Sequence, residues 1–262
     1  MNVKIKDKTG ATLYTAKQYF EEDIEIVLDD SLIPSGTIDI TENGEHNVAD
    51  YEKVNVNVNL LNDYLRGIKT DITADDLEGV TSIPDYAFYL SNVTSVEFSD
   101  TVTHIGRNAF DGTQLERFVM PDTIKSGNVY FCRGCKKLTE FIIGKGVTAL
   151  GNGWIEGCTA LEYMEIPDNV TQIGWYFFQN CSNLKKVKIG TGITSISGCF
   201  NGCKSLKEII CLAENPPKFD AQNLNQLPAD CIFKVPSGSV EAYKAATNWS
   251  ARADYIIAYE GD

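Results

Sequence analysis

The sequence is short of the residues that most often carry chemistry. Histidine occurs twice, as His46 and His104, which leaves little imidazole for a metal site or for acid–base work near neutral pH. There is no Gly-Lys-Ser/Thr phosphate loop, and no serine or cysteine has the neighbouring base that an activated nucleophile requires. Positive charge is scarce: 23 Lys and Arg stand against 36 Asp and Glu, a net charge of −13. A basic face for a phosphate backbone is therefore not expected, and nucleic acid is a poor partner. No stretch of 18 apolar residues occurs, which argues against membrane insertion. Met1-Asn2-Val3-Lys4-Ile5-Lys6 lacks the apolar core of a signal peptide, so a chain made in the cytoplasm is expected. The acidic pairs Asp29-Asp30 and Asp75-Asp76 lack the alternating oxygen spacing of a calcium loop; the second reads as the start of a repeat. No catalytic, cofactor-binding or metal-binding residue is expected, and the chain does not read as an enzyme.

What the sequence does contain is a repeat over residues 80–212. Segments beginning at Val80, Val102, Ile124, Val147, Val170 and Ile193 are spaced 22, 22, 23, 23 and 23 residues apart. Most open with a β-branched residue and Thr, then reach Ile or Leu before Gly, as in Ile105-Gly106, Leu150-Gly151 and Ile173-Gly174. A bulky apolar residue follows (Phe88, Phe110, Ile155, Phe178, Phe200), and the unit closes in an alternation such as Leu161-Glu162-Tyr163-Met164-Glu165-Ile166. So regular a period means a mainly β solenoid of about six coils, each 22–23 residues long.

The eight cysteines fit this frame better than a disulfide framework. Cys135, Cys158, Cys181 and Cys203 fall at one place in successive units, as a ladder of reduced, buried thiols would. Cys132-Arg133-Gly134-Cys135 is a CxxC, but no second pair stands at metal spacing.

Around the repeats, residues 1–59 read as a β-rich attachment region. Val3-Lys4-Ile5 and Ile24–Leu28 are β runs, Lys8–Ala11 is a turn, and the alternating stretches 37–41 and 54–58 suggest a hairpin through Asn43-Gly44. Residues 60–79 hold helically spaced Leu60, Leu61, Tyr64, Leu65 and Ile68, a helix suited to plug the first coil, with a linker behind it. Residues 213–262 form a C-terminal cap with a strand at Cys231–Val235, a short helix from Ser239 to Ala246, and closing residues Trp249, Tyr255, Ile256 and Ile257. Charge follows these boundaries: residues 1–78 are net −10, 79–212 net zero and 213–262 net −3.

The Val-Thr-x-Ile-Gly…Phe-x-x-Cys-x-x-Leu-x-x-Val-x-Ile pattern resembles the BspA-like leucine-rich repeats of bacterial and phage proteins. The ending Val235-Pro236-Ser237…Tyr243…Trp249 is similar to that family's closing segment. Separately, Ser35-Gly36-Thr37…Asn43-Gly44…Val54-Asn55-Val56-Asn57-Val58 resembles a leader on prophage tail-associated proteins of Gram-positive gut bacteria. The resemblances imply a leucine-rich-repeat solenoid that is non-catalytic and serves adhesion or host recognition. The implied partner is a protein or glycan on a cell surface, and residues 1–59 would join virion tail proteins. A bacterial cell-surface adhesin of the same family, or an intracellular interaction module, are the alternatives.

Two departures from strict repetition mark candidate binding residues. In the closing strands Leu161, Met164 and Ile166 should point inward. The outward columns then match Glu162 with Lys185, Glu165 with Lys188 and Arg117 with Glu140, and they place Tyr163 outside. Lys185, Lys186, Lys188 and Lys207 gather in the last two coils, where they are either solvated pairs or an attraction for an anionic glycan or acidic protein patch. The second departure is the residue before the bulky apolar position, which runs Ala87, Ala109, Phe131, Trp154, Phe177, Cys199, with Tyr130, Trp175 and Tyr176 beside it. It is either a wider core or an exposed aromatic strip that stacks on sugars or anchors a protein. The strip requires substantial exposure of at least one of Trp154 and Trp175.

Overall fold

The structure is a computed structural model that describes residues 2–6, 12–17, 24–27, 70–125 and 127–261. At the start of the chain β1 (Asn2–Lys6), β2 (Thr12–Lys17) and β3 (Ile24–Val27) form a sheet in the order β2-β1-β3. The partner of β1 at 12–17 is an addition to the two β runs expected here; it pairs antiparallel, while β3 pairs parallel. The expected 8–11 turn, Asn43-Gly44 hairpin and 60–68 capping helix lie outside the described residues.

The repeats wind into two parallel ladders. One contains β4 (Asp71–Ile72), β6 (Ser95–Val96), β8 (Arg117–Val119), β9 (Glu140–Ile142), β11 (Tyr163–Ile166), β13 (Lys186–Ile189) and β15 (Glu208–Cys211). It continues through β17 (Ile232–Pro236) and β18 (Ile256–Tyr259), with β11-β13-β15-β17-β18 as one five-stranded sheet. The other contains the two-residue strands β5 (Ser82–Ile83), β7 (His104–Ile105), β10 (Ala149–Leu150), β12 (Gln172–Ile173), β14 (Ser195–Ile196) and β16 (Lys218–Phe219). Strand pairing thus begins at Asp71 and runs to Tyr259, beyond residues 80–212 at both ends.

The register follows the sequence period. Tyr163 pairs with Lys186 and Lys186 with Glu208, while Glu165 pairs with Lys188 and Lys188 with Ile210. Each repeat position therefore stacks on its equivalent about 4.8 Å away. Leu161, Met164 and Ile166 are buried as expected, and their equivalents Leu184, Val187, Ile189, Leu206 and Ile209 continue the core. Stacked rings add to it, with centroids 5.2 Å apart for Phe88–Phe110 and 5.4 Å for Phe178–Phe200. The threonine after the opening β-branched residue has a specific task. Thr103, Thr171 and Thr194 each donate their hydroxyl to the carbonyl of the equivalent residue one coil back, at 3.1, 3.0 and 2.9 Å.

The cysteine ladder works in the same way inside the core. The Sγ atoms of Cys135, Cys158, Cys181 and Cys203 donate to the carbonyls of Phe110, Cys132, Ile155 and Phe178, at 3.1, 3.3, 3.2 and 3.0 Å. Every donor is one coil beyond its acceptor. In the second coil Thr113 stands at the thiol's position but bonds the Phe110 carbonyl of its own coil, at 2.9 Å. The column selects a small side chain with a proton to give. All eight cysteines are free and buried, Cys132 of the CxxC included.

The C-terminal end is sealed by side chains that imitate a further coil. Helix α1 (Ala221–Gln226) starts at Asp220, whose carboxylate accepts from the Gln222 amide at 2.9 Å. Its buried Asn223 accepts from the Cys199 amide at 3.0 Å and donates to the Ser197 carbonyl at 2.9 Å. Past α2 (Val240–Ala245), the Arg252 guanidinium donates to the carbonyls of Leu224, Leu227, Pro228 and Ala229. Trp249 and Ile256 close the core as expected, but Tyr255 and Ile257 face solvent, Ile257 because alternation along β18 sets it on the outer face beside Lys234.

Two outcomes follow from the thiol ladder. Replacing Cys181 with alanine removes a buried donor and leaves a small void, and should lower stability by about 1–2 kcal/mol, read as a shifted urea midpoint with an unchanged slope. Burial also pushes the Cys181 and Cys231 thiols up to about 12 from an ordinary 9.0. The unfolded chain ionises first, so the contribution of the neutral thiols is complete below pH 9.0 and fades as the pH rises towards 12. Denaturation midpoints taken from pH 8 upward should fall across that window.

Candidate functional site

The outer face of the long sheet is a lattice of matched charges. The expected pairs are present: Lys185 Nζ lies 2.8 Å from Glu162, Lys188 Nζ 3.5 Å from Glu165, and Arg117 bonds Glu140. The remaining lysines of the cluster are also occupied. Lys186 and Lys234 grip the two oxygens of Glu208 at 3.2 and 2.7 Å, and Lys207 reaches Asp230 of the cap at 2.5 Å. Lys185, Lys186, Lys188 and Lys207 therefore do not form an open cationic patch for an anionic ligand. The cap supplies Asp230 and Lys234, which an inspection of the repeats by themselves leaves out. Burial works to raise the Glu208 carboxyl, but hydrogen bonds from Lys234 and Lys186 outweigh it and hold it below the ordinary 4.5. Tyr163 projects from this lattice, 44% exposed, with its hydroxyl 3.1 Å from Glu165 Oε2. Ile142, at 37%, and the half-buried Val119 occupy outward positions on earlier strands.

The aromatic column divides differently from the strip outlined above. Phe131, Trp154 and Phe177 are completely buried, so Phe131 and Trp154 are removed as ligand contacts. They stack through the interior, Trp154 lying 4.9 Å from Phe131 and 6.0 Å from Phe177 between ring centroids. The cause is the backbone one residue earlier. Tyr86, Asn108, Tyr130, Gly153 and Tyr176 share one repeat position, and all are left-handed, with φ of 60, 53, 61, 63 and 62°. That conformation turns the chain so that the following two residues enter the core. The glycine at 151 makes room for the indole, since a Cβ there would meet Trp154 Nε1 at 2.2 Å.

At that left-handed position the three tyrosines keep part of their rings in solvent, whereas Asn108 turns in to bond Asp111 and Gly153 is buried. Tyr176 is 42% exposed, Trp175 half-buried beside it with centroids 6.2 Å apart, and Tyr86 and Tyr130 are half-buried. Tyr130 leans over the next coil, where a Cβ on Gly153 would strike its ring at 2.2 Å. The Arg133 guanidinium lies 5.3 Å from the Tyr130 centroid and 2.8 Å from Asp111 Oδ2. Burial lifts the Asp111 carboxyl above the usual range, against hydrogen bonds from Asn108 and Arg133 that draw it down. Tyr86 meets Tyr89 edge to face at 5.8 Å. A left-handed backbone costs a residue with a Cβ roughly 1–2 kcal/mol, and Asn and Gly, the inexpensive choices, occupy this position in the alternate coils. That alternation of Tyr with Asn and Gly is the sequence signal from which Tyr86 could have been found.

Residues 127–218 match the profile of the BspA type Leucine rich repeat region, in six copies. Over those residues the repeats are similar to the BspA leucine-rich type. No curated protein sequence matches the chain. Among solved structures, a leucine-rich repeat protein from T. pallidum aligns with a TM-score of 0.52 at 24% identity, over 62% of this chain and 79% of that one. A leucine-rich repeat protein from Bacteroides ovatus aligns with a TM-score of 0.45 at 20% identity, over 62% of this chain and 48% of that one. A leucine-rich cell surface protein from Faecalibacterium prausnitzii gives 0.36 at 22%, over 77% and 62%. The alignment with the T. pallidum protein shows a leucine-rich-repeat fold. Among the described residues no group of His, Cys, Asp and Glu could hold a metal ion, and no helix is long and apolar enough to cross a membrane.

The charge lattice of these BspA-type repeats should respond to its central acid. Changing Glu208 to glutamine leaves Lys186 and Lys234 facing each other and should cost about 1 kcal/mol at pH 7. A carboxyl held low stabilises the fold above its unfolded value and loses that effect as the pH falls through the folded one. Wild type and variant should therefore converge in urea midpoint below pH 4.5.

Proposed function

We propose that the chain is a non-catalytic recognition protein whose BspA-type solenoid contacts a protein or glycan on a host cell surface. In this reading residues 1–59 attach it to virion tail proteins, and the protein is carried in a phage or prophage virion. One observation carries the reading. Positions that repeat from coil to coil build the ladders and the core, while the large side chains that vary, Tyr163, Trp175 and Tyr176 among them, stand on the outside. Stacking alone does not require them, and exposed aromatics on a rigid frame are the usual anchors of recognition. The tail association is supported by the resemblance of residues 35–58 to prophage tail leaders, and the surface-binding role by the repeat type.

The test is binding of the fluorescently labelled full chain to whole Gram-positive gut bacteria. Saturable binding to some strains and not others is expected, and uniform absence of binding across a broad panel would sink the recognition reading. Genes for tail or baseplate proteins beside this one support the virion placement. An upstream export signal with a wall anchor would replace it with a bacterial adhesin.

A further inference from the structure

The turn edge of the solenoid carries aromatic rings at alternate coils, and their placement is specific enough to name a ligand class. Tyr86, Tyr130 and Tyr176 occupy one left-handed position in the first, third and fifth coils, with Asn108 and Gly153 between them. Rings two coils apart are separated by roughly 10 Å along the edge, the rise of one disaccharide in an extended β-linked glycan. Glycine supports the arrangement: a Cβ on Gly153 would collide with Tyr130, and one on Gly198 would come 2.6 Å from Trp175. Polar side chains occur at neighbouring repeat positions, including the exposed Asn152 and the Glu156–Gln179 pair at 3.0 Å.

We infer that this edge is a linear binding site for an extended, β-1,4-linked glycan, in which alternate sugars stack on Tyr86, Tyr130 and the Trp175–Tyr176 pair. The inference rests on the recognition reading above and specifies its surface and ligand. A protein partner would be met by a contiguous apolar patch, whereas these rings recur at every second coil, the period of a sugar chain. Tyrosine occupies a backbone conformation that asparagine adopts more readily, and the part of each ring left in solvent, largest at Tyr176, offers a stacking surface along this edge.

The test exploits that conformational preference. Tyr130→Asn and Tyr176→Asn place at this left-handed position the residue type that the second coil carries there, so both variants should fold, Tyr130→Asn with some loss of the packing over Gly153 and Arg133. Full-length protein is titrated with cellohexaose and chitohexaose, with the compact α-linked maltohexaose as control, following tryptophan fluorescence and heat. At least one β-linked hexamer should bind, tenfold or more tighter than its trimer, while maltohexaose does not. Each variant should weaken that binding at least tenfold. Failure of both β-linked hexamers to bind, or full binding by the folded asparagine variants, would overturn the glycan site. Cell binding that persists in the variants would overturn this site alone and leave the recognition reading intact. Cell binding that is lost in the variants and is also destroyed by protease would replace the glycan with a protein.

Discussion

The structure depends on one constraint, the stacking of each coil on the next at the spacing of hydrogen-bonded parallel strands. Once β11, β13 and β15 pair in register, every repeat position lies over its equivalent. A side chain that helps one interface then helps each of them. The threonine hydroxyls and the cysteine thiols show this directly, since each donates to a carbonyl of the coil before it. A backbone carbonyl in a buried turn needs a donor, and a residue with a short side chain and a transferable proton supplies one at no cost in space. Cysteine, Thr113 and the threonine ladder are therefore parts of the backbone's hydrogen-bond network more than they are chemical groups.

Stacking also makes the ends the weak points. An open coil exposes apolar surface and unpaired amides. At the C-terminal end Asn223 bonds the Cys199 amide and Ser197 carbonyl of the sixth coil, and Arg252 bonds the carbonyls of Leu224 and Leu227 in the cap itself. The cap also enters the charge lattice through Asp230 and Lys234. Cap and solenoid are consequently one hydrogen-bonded body at this end, which is why the apparent excess of lysine in the last two coils vanishes once the cap is in place.

On the outside, stacking converts variation into columns. The long sheet face is occupied by opposite charges at neighbouring strands and has little net field. The turn edge is different, because the left-handed position there is filled by tyrosine where folding favours asparagine or glycine. The two faces thus divide the work, the sheet face securing register and the edge presenting aromatic surface.

The sequence by itself determined the solenoid, its period, the inward residues of the closing strands and the pairs Glu162–Lys185, Glu165–Lys188 and Arg117–Glu140. All of these follow from the repeat, since a fixed period with parallel stacking leaves only one register. What the repeat could not decide was the direction of side chains at the turn. Phe131, Trp154, Trp175 and Tyr176 are neighbours in the alignment, yet the first two are interior and the last is exposed. A single left-handed residue separates them, and backbone handedness is not written in hydrophobicity. The fate of Lys207 was equally hidden, because its partner Asp230 comes from the cap, whereas Glu208 is the aligned neighbour of Lys186. Position along the repeat was legible from sequence, whereas which way each residue faced at the turn, and what the cap contributed, only the tertiary structure decided.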